Sequence, residues 1–118
     1  MGKDRISELT MDFAVEIVKL SQTLEDRHEY VLSRQIRSSG GSIGANVRES
    51  KYAQSRADFV SKLQIALKEA AETDFWLELL YRTCYINEDR YHFLSDMCRQ
   101  IRAILISSIN TTTNNETH

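Results

Sequence analysis

The chain has 118 residues, a formal charge of -2, 42% apolar and 27% charged residues, and no proline. This is one domain with enough apolar content for a core, and with no proline to interrupt long helices an all-α protein is expected. A pI near 5.9 argues against a strongly basic nucleic-acid binder, and no window approaches the roughly 20 apolar residues of a membrane span.

The N-terminal segment MGKDRISELT lacks the apolar run of a signal peptide. Cys84 and Cys98 fall on apolar helical stripes, so two reduced core thiols are expected rather than a disulfide. Together these features predict a soluble protein of the cytoplasm. The triplets at Asn110 and Asn115 match the glycosylation pattern by chance in a Thr/Asn-rich tail.

In the first segment Ile6, Leu9, Phe13, Ile17, Leu20 and Leu24 recur at steps of three and four, the seam of a helix over roughly 4 to 24. The polar patch from Glu25 to His28 turns the chain into a second helix over roughly 29 to 51. Its seam is Leu32, Ile36, Ser39, Ile43 and Val47. The short connection makes the two antiparallel neighbours. Ser55 and Asp58 form a weak capping box that opens the third helix, with Phe59, Leu63, Ala66, Ala70, Thr73, Leu77, Leu80 and Cys84 in phase. Asn87 caps the fourth, whose seam runs Tyr91, Leu94, Cys98, Ile101, Leu105 and Ser108. An antiparallel up-down-up-down four-helix bundle over 1–110 follows, with 111–118 as a polar, disordered tail.

Charge is unevenly placed along this frame. Residues 27–56 hold six cations against Glu29 and Glu49, a net +4, so the rest of the chain is acidic. Arg34, Arg37, Arg48 and Lys51 share one outward line on the second helix, with Gly41 and Gly44 between the two pairs. Such a line is suited to phosphate contacts or to head-to-tail contact with a neighbouring subunit. Gly40, Gly41 and Gly44 each cost about 1 kcal/mol relative to Ala in a helix interior, so close helix packing is expected there; approach of a phosphate or partner to the backbone is the other reading.

On the third helix Ile65, Phe75, Trp76, Leu79 and Ile86 lie away from the seam. A self-association surface is the preferred reading over scattered surface apolar residues. Ser42, Asn46 and Glu49 form a polar flank expected to fix the register of the facing helix.

Chemistry is poorly supported. The pairs Glu25/His28 and Asp89/His92 have the Glu-x-x-His type of spacing of carboxylate-bridged metal sites, yet stand at helix ends, where exposed residues are the plainer reading. Glu69 and Glu72 lack a second His motif, and Lys68 with Glu72 reads as an i,i+4 ion pair. His28, His92 and His118 lie at helix ends or in the tail, so no Ser/His/Asp arrangement can be drawn. No enzyme, metal or cofactor is expected.

Residues 42–49 (SIGANVRE), Arg56-Ala57-Asp58-Phe59 with Lys62-Leu63, and 66–80 (ALKEAAETDFWLELL) resemble the small bacterial four-helix-bundle proteins encoded in intervening sequences of large-subunit ribosomal RNA genes. The resemblance covers the second and third helices, about half the chain. Where that family often places Gly after the Glu equivalent to Glu49, Ser50 stands here, so the same turn does not follow. The resemblance implies a bundle that assembles into a ring, typically a pentamer, without enzymatic activity. It is similar to accessory proteins of diversity-generating retroelements, which implies a basic ring surface for RNA or DNA and a reverse transcriptase as a protein partner. The expected function is a nucleic-acid-associated accessory or adaptor; the alternative is a structural self-assembling module with an acidic protein partner.

Overall fold

The computed structural model describes the backbone of residues 4–116 and the side chains of residues 4–114. Four helices run in order: α1 (Arg5–Asp26), α2 (Tyr30–Ser50), α3 (Arg56–Arg82) and α4 (Glu88–Glu116). Each packs on its chain neighbours and α4 returns to α1, closing a square in which α1 and α3 are diagonal.

Three of the four helices start where a polar side chain takes an orphan amide, whereas α2 begins behind Glu29 without a side-chain cap. Asp4 accepts from the Ser7 N–H at 2.8 Å, Ser55 from Asp58 at 3.0 Å and Asn87 from Arg90 at 2.8 Å. The Asp58 carboxylate reaches back to the Gln54 N–H at 3.2 Å, so the expected box is offset by one residue.

Two of the helix ends share one device. His28 (φ 64) and Cys84 (φ 68) are left-handed, and Glu29 N–H bonds Leu24 O while Tyr85 N–H bonds Leu80 O, the Schellman pattern. Both turns form without the glycine usual at that position.

The seams meet in one core in which Phe13, Ile17, Ile36, Ile43, Leu77, Leu94 and Ile101 are fully buried. Two expectations fail at the Schellman turn of α3. Cys84 is exposed, because α3 ends at Arg82 and the left-handed residue turns out of the helical phase. Ile86, assigned to an outer face, folds back into the core past that turn. The helical period stops at Arg82, two residues before Cys84 and four before Ile86.

At the other end α4 continues to Glu116, so residues 111–116, set apart as a disordered tail, are helical. Thr112 Oγ1 donates to Ser108 O at 2.9 Å, which occupies a hydroxyl that would otherwise compete for the backbone. Residues 117 and 118, with His118, lie outside the described residues.

Candidate interaction surfaces on α2 and α3

The cation line of α2 runs beside α1, and α1 neutralises half of it. Arg37 donates to Ser21 Oγ at 2.8 Å and 2.9 Å and pairs with Glu25 at 3.4 Å. Lys51 pairs with Asp4. The Lys51 ammonium, with the Ser7 N–H, holds the Asp4 carboxyl at about 2, below its ordinary 3.8. Arg34 and Arg48 are exposed and have no carboxylate within 4.0 Å among the described residues. The four expected phosphate contacts therefore divide into two engaged side chains and two free ones, a division set by α1 acids that the α2 pattern alone does not contain.

The three glycines are equally unlike one another. Gly40 is buried, and a Cβ there would lie 2.8 Å from Ile17 Cγ2; at Gly44 it would lie 3.4 Å from Thr10 Oγ1. At Gly41 a Cβ would meet nothing within 4 Å. The close-packing role expected for Gly41 does not hold within the chain, because no atom of a facing helix comes near enough to touch a side chain there. Beside it runs a mostly apolar groove of about 410 Å³ lined by Ser7, Thr10, Met11, Ala14, Gly41, Gly44 and Ala45 together with Arg48 and Glu49, of which Glu49 is paired with Lys62.

On α3, Phe75 is 58% exposed and Ile65 40%. Trp76 and Leu79 are half-buried, and Trp76 packs on the core with its ring edge-on to Phe75 at 5.1 Å. The five residues grouped as one surface thus reduce to Phe75 and Ile65 as open anchors, Trp76 and Leu79 at the margin, and Ile86 inside. Glu72 accepts from Trp76 Nε1 at 3.4 Å in place of the ion pair expected with Lys68.

Register between helices is fixed by groups other than the expected polar flank. Ser42 and Asn46 bond carbonyls of their own helix, and only Glu49 crosses, to Lys62 at 3.5 Å. The buried hydroxyls of Ser39 and Thr73 lie 2.9 Å apart across α2 and α3, and Ser33 donates to Glu25 at 2.7 Å across α1 and α2. Small polar residues on an apolar seam were the available signal, since a buried hydroxyl must find a partner.

The helix-end motifs do not converge. His92 pairs with Glu88 at 3.5 Å, and His28 lies 3.1 Å from the Tyr30 hydroxyl. Among the described residues no three of His, Cys, Asp and Glu are grouped to hold a metal. At this pole Tyr85 donates to Glu29 and lies under the Arg27 guanidinium at 4.2 Å; the Glu29 bond, with burial second, pushes the phenol pKa up.

The model of the 23S rRNA-intervening sequence protein family matches residues 3–107, nearly the whole chain. The chain belongs to this family. A crystal structure of a protein of unknown function from the S23 ribosomal protein family of Bacteroides thetaiotaomicron VPI-5482 is similar over 88% of this chain and 97% of that one, at 50% identity and a TM-score of 0.86. None of the curated proteins matches. Membership of the intervening-sequence family extends the sequence resemblance from the two central helices to all four, so α1 and α4 share the family pattern as well as its hydrophobic period. No described helix is long and apolar enough to cross a membrane.

Proposed function

We propose that this member of the intervening-sequence family is a non-enzymatic, self-assembling bundle that serves as an accessory or adaptor protein, with a ring, typically a pentamer, as its expected form. The observation that carries the reading is the open aromatic face of α3, where Phe75 is 58% exposed with Ile65 two to three turns away. A large aromatic side chain held out of the core of a small bundle is more useful in an interface than in water. Light scattering on the wild-type chain at micromolar concentration tests it: a multiple of the 13.7 kDa chain mass supports the reading, and a monomer removes it.

Nucleic-acid association is the second reading, favoured by the free guanidinium groups of Arg34 and Arg48 and by Tyr52, which is 82% exposed just beyond Lys51. Cations beside an open ring suit backbone charge and base stacking. Repetition around a ring would join these modest patches, and a reverse transcriptase or an acidic protein remains the corresponding protein partner. Salt-dependent retardation of RNA or DNA by the assembled protein tests this reading.

A further inference from the structure

Gly41 is a helical residue with ordinary backbone and no neighbour that a Cβ would touch, so nothing inside the chain requires glycine there. What the missing side chain leaves open is the apolar groove between α1 and α2, about 410 Å³ in volume. We propose that this groove receives Phe75 of a second copy of the chain. The inference rests on the self-assembly reading and names the surfaces that perform it.

Charge is complementary on both sides of the contact. Arg34 and Arg48 stand seven residues to either side of Gly41, about 10.5 Å along the axis, and both lack an intramolecular carboxylate among the described residues. Residues 69–78 hold Glu69, Glu72, Asp74 and Glu78; Asp74 pairs with Arg102 at 3.3 Å and Glu78 with Arg82 at 2.8 Å, while Glu69 and Glu72 have no cation within 4.0 Å among the described residues. Glu72 and Glu78 flank Phe75 three residues away on either side, about 4.5 Å along the axis. With Phe75 over Gly41, each glutamate lies on the side of one of the two arginines whichever way the helices run; Glu72 is free of cations, and Glu78 would exchange its exposed i,i+4 pair with Arg82, which holds it weakly. The remaining gap of about 6 Å is within the reach of an arginine side chain.

The groove belongs to α1 and α2, whereas Phe75 is on the outer face of α3, which does not touch α1. The contact is therefore head-to-tail, each subunit offering its groove to one neighbour and its Phe75 to the other. Such contacts close into rings or run into filaments rather than forming a two-fold dimer.

The test uses two full-length variants and their mixture. Gly41→Leu fills the groove and Phe75→Glu removes the anchor; each is expected to fall to the mass of one chain in light scattering, with helical circular dichroism retained because both positions face solvent. Mixed in equal amounts, they should form a heterodimer, since one keeps its anchor and the other its groove. A wild-type monomer overturns both this inference and the self-assembly reading. A wild-type oligomer with a Gly41→Leu variant of the same mass, or a mixture that stays monomeric, overturns the groove assignment alone. An additional Gly41→Ala variant covers misfolding of the larger substitution: it should fold and assemble more weakly than wild type, and unchanged assembly counts against the groove.

Discussion

A Cβ on Gly40 would stand 2.8 Å from Ile17 Cγ2 and 3.2 Å from its branched Cβ. Ile17 is fully buried and cannot withdraw, so α1 and α2 approach one another here only because residue 40 has no side chain.

Gly40→Ala should therefore destabilise the chain. The helix gains about 1 kcal/mol in propensity, but overpacking a closed core typically costs about 1–3 kcal/mol. Gly41→Ala, one residue on, carries the same propensity gain and meets nothing. Urea unfolding of the two variants in dilute protein, where the chain is dissociated, should move the midpoints in opposite directions; a rise for both would mean that α1 moves aside freely.

The two thiols should react very differently. Cys98 is buried, its Sγ donates to Ala70 O at 3.3 Å, and burial, aided by nearby Asp74, pushes its pKa up to about 12. Cys84 is exposed. A thiol reagent at pH 8 should modify one cysteine per native chain rapidly and the second only after denaturation, because the thiolate is the reactive form. Mass mapping that finds Cys98 labelled in the native protein would contradict this core.

The Asp4–Lys51 pair gives a pH signature. Because the folded carboxyl sits at about 2 against an ordinary 3.8, its contribution is complete above 3.8 and is lost as pH falls toward 2. Both side chains are nearly half exposed, so solvent screening keeps the contribution at or below about 1 kcal/mol. Asp4→Asn, which retains a capping side chain, should lower stability at pH 6 by that amount and converge on wild type below the ordinary carboxyl range. An equal deficit at every pH would assign the effect to the helix cap instead.

If the nucleic-acid reading holds, the arginines should not contribute equally. Arg34→Ala with Arg48→Ala removes two free cations and should reduce the slope of log affinity against log salt by up to about 2 per engaged subunit. Arg37→Ala with Lys51→Ala removes groups already neutralised by Glu25 and Asp4, and should change the slope less while lowering stability. Arg99→Ala with Arg102→Ala on α4 is the control, and equal losses in all three pairs would dissociate binding from α2.

The bundle itself was legible in the sequence because its information is periodic. Phe13, Ile17, Ile36, Ile43, Leu77, Leu94 and Ile101 recur at helical spacing and are buried, and Ser55 and Asn87 announce the helix starts that they cap. Tertiary structure decided what periodicity does not encode. Where α3 stops is set by a Schellman turn at a cysteine, so Cys84 and Ile86 exchanged the environments their phase assigned. Which cations remain free depends on carboxylates of α1, and whether a glycine is crowded depends on the residue opposite: Ile17 for Gly40, open space for Gly41. The sequence determined which face of each helix is apolar, since that is a property of one helix; pairing and crowding are properties of two helices, and only their approach sets them.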